Sequence, residues 1–121
     1  MTDAPIPGFE EALAAMRDRV LADGGEFATL ERGLRNRARF GPMGVFVKAV
    51  DQDRETGITR RDLELAWRRF SERGMLRRED VGELKDRGLI FALFALVPGV
   101  HPEPFGQGIR WVGVPAKDAT S

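Results

Sequence analysis

The chain contains no cysteine, which excludes disulfide bonds, thiolate nucleophiles and every zinc or iron–sulfur site that needs cysteine ligands. It has a single histidine, His101, so the histidine-rich metal sites are nearly excluded as well. No apolar run reaches the roughly 18 to 20 residues of a membrane-spanning helix. The first eight residues have neither a basic nor an apolar segment, so we expect no secretory signal. These absences favour a small soluble protein of the cytoplasm.

The chain also lacks an excess of charge of either sign. Nineteen basic residues balance nineteen acidic ones, so no global field attracts the protein to nucleic acid or to an anionic membrane. A length of 121 residues with 42% hydrophobic residues fits one compact domain over residues 1–121. Residues 1–7 and 115–121 are short, polar and interrupted by proline, which predicts flexible ends.

Lysine is scarce, and arginine takes its place. Sixteen of the nineteen basic residues are arginine. The codon usage of a GC-rich genome explains such a bias. That explanation is the simpler one, and selection for bidentate contacts with phosphates or carboxylates is the alternative. The positions of the arginines along the chain must separate these two interpretations.

Four segments of the sequence predict helices. Phe9–Ala22 repeats apolar residues at helical spacing and has two glutamates in its first turn. Thr59–Gly74 begins with an N-cap residue and ends at glycine. A short helix is predicted within 77–87, and the uninterrupted apolar run Leu89–Val97 predicts a buried helix.

The segment before the Thr59 helix predicts strands. Val45–Val50 is β-branched and lies between turn residues, which is typical of a strand. We expect residues 26–31 to be its antiparallel partner and the arginine-rich residues 32–42 to be the hairpin connection. A helix over residues 26–40 remains the alternative. The chain end, Ile109–Val114, alternates as a terminal strand or wing does, so the fold class is α+β with one N-terminal helix, a hairpin, three helices and this strand.

Three consecutive helices followed by a hairpin resemble the winged helix-turn-helix family, and also small DNA-binding modules of bacterial restriction and defence proteins. The resemblance rests on the order of Thr59–Gly74, Arg77–Asp86, Gly88–Val97 and the wing Val100–Val114. It implies DNA binding in a bacterial regulatory or defence context. The third helix of this family usually reads the major groove with polar side chains. Here that helix is apolar, which disfavours sequence-specific reading through it.

The most localised electrostatic signal is a run of four arginines within eight residues that contains no acid. Alternate positions in an extended segment project to one side, so these guanidinium groups could neutralise several phosphates. The alternatives are a solvated loop and a salt-bridge patch between subunits. The leading hypothesis is therefore a non-enzymatic nucleic-acid-binding protein without a cofactor, whose contacts are Arg32, Arg35, Arg37 and Arg39, helped by Arg61, Arg68, Arg77 and Arg78.

A rival hypothesis is a protein–protein adaptor or homodimer. A helix that is apolar on all sides must be surrounded, and a chain of this size has few elements to surround it. Tryptophan is also enriched at binding interfaces. The predicted interface residues are Leu89, Phe91, Phe94 and Trp111.

Metal-dependent chemistry has weaker support. Asp51–Asp62 partly follows the spacing of a calcium-binding loop, but its glycine lies one position late and arginines oppose a cation. Glu83 and Lys85 with Asp51 and Asp53 superficially match the acidic and Glu-x-Lys elements of restriction-type nucleases. His101 lacks a suitable serine partner for a catalytic triad. We expect no catalytic residue and no bound metal.

Overall fold

The protein has an α+β fold, as the sequence predicts. A computed structural model describes residues 5–30 and 33–113. Within them, one antiparallel sheet contains β1 (Glu26–Ala28), β2 (Arg35–Gly41), β3 (Gly44–Ala49) and β4 (Glu55–Thr59), in that spatial order. A second antiparallel sheet contains β5 (Met75–Arg77), β6 (Val100–Pro102) and β7 (Gly108–Trp111), with β7 in the middle. The three α-helices are α1 (Phe9–Ala22), α2 (Arg60–Arg73) and α3 (Arg87–Phe94).

The first two predicted helices are confirmed, and their ends follow from local chemistry. At the start of α2, the Thr59 hydroxyl accepts a hydrogen bond from the backbone N–H of Asp62 at 3.1 Å. The helix ends at Gly74, which adopts a left-handed conformation that glycine takes without steric cost. In α1, Ala12, Met16 and Val20 are buried at intervals of four residues, which is one face of a helix.

The predicted pairing of the strands is wrong. Residues 26–28 pair with β2 and not with β3, and the arginine-rich segment is itself a strand between them, not a hairpin connection. The helix over residues 26–40 is likewise not formed. In β2, Asn36, Ala38 and Phe40 alternate with arginines, so one face of the strand turns to the interior and the other to solvent.

The strand β4 is an element that the sequence pattern does not predict. The pattern indicates an acidic turn that leads straight into the α2 helix, but Glu55–Thr59 first pairs along β3. Its only fully buried residue is Ile58. A tight connection through Pro42 and Met43 joins β2 to β3, and Gly44 follows it with a φ of +147°. A glycine is required there, because a Cβ at this position would collide with the backbone oxygen of Ile58 on β4.

The second half departs from the winged-helix expectation in part. The predicted helix within 77–87 is a short 3-10 helix, Arg78–Val81, and α3 ends at Phe94 instead of Val97. The hairpin at the chain end is present, since β6 and β7 pair antiparallel. The order of elements differs from the expectation because a four-stranded sheet occupies the middle of the described chain. The specific winged-helix arrangement is therefore not established.

The buried residues form one cluster to which all three helices and both sheets contribute. Trp67 belongs to this cluster, and its ring centroid is 4.9 Å from that of Phe94 in an edge-to-face arrangement. Its indole N–H donates to Pro7 O at 2.9 Å, and Ile6 also packs against the core, so these two residues of the predicted flexible N-terminal end contact the rest of the fold. Residues 1–4 and 115–121 of the two predicted flexible ends lie outside the described residues, as does Arg32.

Candidate nucleic-acid interface

The arginines of β2 lie on the outward face of the four-stranded sheet. Glu26, Arg37, Lys48 and Glu55 lie opposite one another in one row across β1, β2, β3 and β4. Residues opposite one another in a sheet project to the same face, and so do residues two positions apart on a strand. We call the surface that they share the basic face. Its charged members are Arg35, Arg37, Arg39 and Lys48 with Glu26 and Glu55.

Both carboxylates of the basic face are engaged by its arginines. A carboxylate oxygen of Glu26 is 3.0 Å from a guanidinium nitrogen of Arg35, and the other is 3.7 Å from one of Arg37. Glu55 receives the Nη2 atom of Arg39 at 3.2 Å. Each described arginine of the predicted cluster therefore has a carboxylate partner, which counts against a phosphate site at these residues.

These ion pairs are weak because water surrounds them. The side chains of Arg35, Arg37 and Arg39 are 52%, 67% and 65% exposed. Exposed pairs of this kind contribute about 0 to 1 kcal/mol each, since water and salt compete for both partners. Four cations face two carboxylates on this surface, so it retains a net positive charge and its arginines can exchange partners at little cost.

An aromatic ring lies on the basic face beside Arg39. Phe46 on β3 is opposite Arg39 on one side and Gly57 on the other. The guanidinium carbon of Arg39 is 4.6 Å from the centroid of the Phe46 ring, a cation–π contact. Arg39 thus reaches across β3, over the ring, to Glu55 on β4.

A hollow of about 610 Å³ extends from the basic face to the end of α1. The strand β1 is short, so β2 continues past it and leaves space beside the last turn of α1. Four cations, Arg17, Arg37, Arg39 and Lys48, line this larger hollow, against the single carboxylate of Glu55. Its apolar lining is Val20, Leu21, Ala38, Phe40 and Phe46, and Gly24 and Gly25 complete it.

A smaller hollow of about 350 Å³ lies on the other side of the same ring. Phe46 lines both hollows, so they are neighbours. Arg61, which the sequence placed in the candidate set, lines the smaller hollow together with Arg60. Met43, 75% exposed, forms part of its apolar wall. Arg61 therefore extends the cationic surface from β2 to the start of α2.

The other predicted arginines lie apart from the basic face. Arg68 is on the exposed side of α2, and Arg77 on β5 pairs with Glu103 at 3.8 Å. The Nε–H of Arg78 donates to Gly106 O at 2.9 Å, which ties the 3-10 helix to the hairpin. None of the three lines either hollow. The structure thus divides the predicted set and retains Arg35, Arg37, Arg39 and Arg61 as one surface.

The interface predicted on α3 lies largely inside the molecule. Phe91 and Phe94 are 1% and 0% exposed, so the chain itself covers this helix and the argument that it needs a partner fails. Leu89 and Trp111 are half-buried, and the Trp111 ring packs over Gly99. A third hollow, about 330 Å³, lies beside Leu89 and holds one arginine and one aspartate, so its charge is balanced.

The structure gathers no metal ligands in the part of the chain that it describes. Residues 5–30 and 33–113 contain no group of three His, Asp or Glu side chains that could hold an ion. The calcium-loop interpretation of Asp51–Asp62 is wrong in shape, because β4 and the start of α2 occupy that segment. Glu83 and Lys85 lie in a turn after the 3-10 helix, not on strands as a nuclease of the restriction type requires.

One further ion pair, between Arg69 and Glu83, lies outside the basic face. The Nη2 atom of Arg69 donates to the Glu83 carboxylate at 2.6 Å. This hydrogen bond lowers the pKa of Glu83 and raises the pKa of Arg69. Arg69 also donates to Asp80 O at 2.7 Å, so it connects α2 to the turn before α3. The pair is structural and does not belong to the candidate site.

Comparisons with protein-family models, with curated proteins and with solved structures find no match to this chain. Among the described residues, none of the helices has the length and apolar character that crossing a membrane requires.

Sequence reasoning missed three residues of the site, Arg17, Phe46 and Lys48. Lys48 and Phe46 occupy alternate positions on a predicted strand, and their outward orientation could have been inferred from Val45 and Val47, which are buried. Arg17 carries no such signal, because only the tertiary packing brings the end of α1 beside β2.

Proposed function

We propose that the protein binds the sugar–phosphate backbone of nucleic acid through the basic face and is not an enzyme. One observation carries the proposal. The register of β2 and β3 turns three arginines and Lys48 outward together, and the larger hollow beside them holds four cations against one carboxylate. Clusters of this kind neutralise phosphates, and planar guanidinium groups match phosphate oxygens in bidentate geometry.

Binding proceeds by exchange of ion-pair partners. A phosphate entering the larger hollow replaces the carboxylate of Glu55 or Glu26 at an arginine, and each exposed pair costs little to break. Such contacts position the protein on the backbone without reading bases. Because they release counterions, the affinity depends steeply on salt concentration. The zero net charge of the chain makes this local patch the source of attraction.

We propose a winged-helix-like arrangement for residues 60–111 only. There a helix, the short strand β5, a 3-10 turn, a second helix and a hairpin follow one another. We propose a bacterial regulatory or defence context on that likeness alone. The burial of α3 is why we assign nucleic-acid contact to the four-stranded sheet and not to this helix.

A charge-matched pair of variants tests the proposal. The test variant is R35Q/R37Q/R39Q, and the control is R19Q/R73Q/R110Q, whose arginines also form exposed ion pairs but line neither hollow. Fluorescence anisotropy measures the affinity for a labelled single strand and a labelled duplex between about 50 and 200 mM salt. Circular dichroism verifies that both variants are folded.

We expect the test variant to lose affinity and its log–log salt slope for a single strand to become shallower by about 2, since each phosphate contact contributes about 0.7. The control should retain the wild-type slope. Equal losses in the two variants, or no binding by the wild type to either probe at low salt, would overturn the proposal.

A further inference from the structure

We infer that the nucleic acid held on the basic face is single-stranded and that one of its bases stacks on Phe46. This inference rests on the proposed function, because it assigns the strand type and the base contact at the same surface.

The first support is the position of the ring. Phe46 projects from the same face as the cations, opposite Arg39 on β2 and two positions from Lys48 on β3, where a purely electrostatic surface has no use for an aromatic side chain. Its neighbour on β4 is Gly57, and a Cβ there would be 3.4 Å from the Cε1 atom of the ring. The ring therefore lies close to the backbone of β4 at Gly57. An aromatic ring on a sheet surface among cations is the arrangement on which unpaired bases stack.

The second support is the shape of the surroundings. The two hollows, of about 610 and 350 Å³, share Phe46 in their linings, and each has arginines on its wall. A strand can therefore pass from the larger hollow over the ring to Arg61 with cations along its course. In a duplex, neighbouring bases cover both faces of every base except at the ends. The ring at the centre of this path is therefore useful only to an unpaired base.

The third support is that the ring is covered in the free protein. The Arg39 guanidinium lies over Phe46, and Glu55 holds it there at 3.2 Å. A phosphate that attracts Arg39 away from Glu55 uncovers the ring for the adjoining base. Phosphate binding and base stacking are thereby coupled. A sugar–phosphate backbone without bases can bind the arginines but cannot stack on the ring.

Three probes of about 16 nucleotides distinguish backbone binding from base stacking. They are oligothymidine, an abasic strand with the same number of phosphates, and a duplex. The variant Phe46→Leu removes the ring and keeps an apolar side chain, and Phe46→Tyr keeps a ring. Val112→Ala is the control, since Val112 is an exposed apolar residue outside both hollows. Anisotropy measures all affinities, and thermal unfolding verifies the folded state.

We expect oligothymidine to bind the wild type about 10-fold more tightly than the abasic strand, which corresponds to one stacked base. Phe46→Leu should lose that advantage and bind the two single strands with equal affinity, whereas Phe46→Tyr and Val112→Ala should retain it. Equal affinity of the wild type for the two single strands, or tighter binding of the duplex, overturns the inference and leaves backbone binding intact. No binding of any probe overturns the proposed function itself.

Discussion

Glu26 and Glu55 determine how the arginines of β2 behave. Each carboxylate sits among guanidinium groups where we place a phosphate, and its distances of 3.0 to 3.7 Å to them are those of an ordinary ion pair. In the free protein these two carboxylates pair with the arginines of the basic face. They also compete with the ligand. A carboxylate that competes with a ligand should, when neutralised, strengthen binding instead of weakening it.

Glu55→Gln tests this competition at a single residue. The change keeps the shape of the side chain, frees Arg39 and removes one negative charge from the larger hollow. We expect the affinity for a labelled single strand to rise about 2- to 5-fold, because the interaction lost is that of an exposed ion pair. Glu83→Gln is the matched control, since it neutralises a carboxylate that is paired with an arginine but does not line this hollow. Weaker binding by Glu55→Gln would contradict the competition.

Among the elements, those with strong apolar periodicity and local end signals are predictable from the sequence. α1 has its predicted ends, and α2 has its predicted cap residues Thr59 and Gly74. β2 escapes prediction as a strand, because its inward residues include Asn36 and Ala38, which give a weak apolar alternation. β4 escapes prediction because Glu55 and Gly57 have low strand propensity.

The candidate site is likewise only partly predictable from the sequence. The arginines of β2 can be recognised in the sequence because they cluster within one segment. Phe46 and Arg17 come from other elements, and only the strand register and the packing of α1 bring them to the arginines. Pairing with Glu26 and Glu55 is not predictable either, since the carboxylates are supplied by β1 and β4.

The ion pair between Arg69 and Glu83 makes a pH-dependent contribution to the link between α2 and the turn before α3. The hydrogen bond from Arg69 lowers the pKa of Glu83 in the folded protein below its ordinary value of 4.5. The pair therefore stabilises the fold above the pKa of the unfolded chain, and this contribution is lost as the pH falls below 4.5 through the folded pKa. We expect Glu83→Gln to be less stable than the wild type at neutral pH in urea unfolding.

The stability difference between the two proteins should then shrink as the pH is lowered below 4.5. A difference that stays constant over that range would show that the substitution acts through packing and not through the charge of Glu83.

At the scale of the molecule, one core supports both sheets. The cluster of buried residues includes Phe27 and Val47 from the first sheet and Leu76 and Ile109 from the second, with α3 packed against strands of each. The basic face therefore has a rigid support, because the inward residues of β2 and β3 belong to a core that the whole described chain completes. We predict that the two sheets unfold as a single cooperative unit, as small domains with one core do.

Leu93→Ala tests this prediction from the centre of α3. Leu93 is fully buried, so its truncation should lower the free energy of unfolding by about 2 to 5 kcal/mol, while Leu93→Met should cost less than about 1.5 kcal/mol. Trp67 in the core and Trp111 on β7 report tertiary structure by fluorescence, and circular dichroism reports the helices and strands. If the sheets share one core, both signals change at the same urea concentration in the wild type and both variants. Separate transitions in Leu93→Ala would contradict the prediction that the two sheets unfold as one cooperative unit.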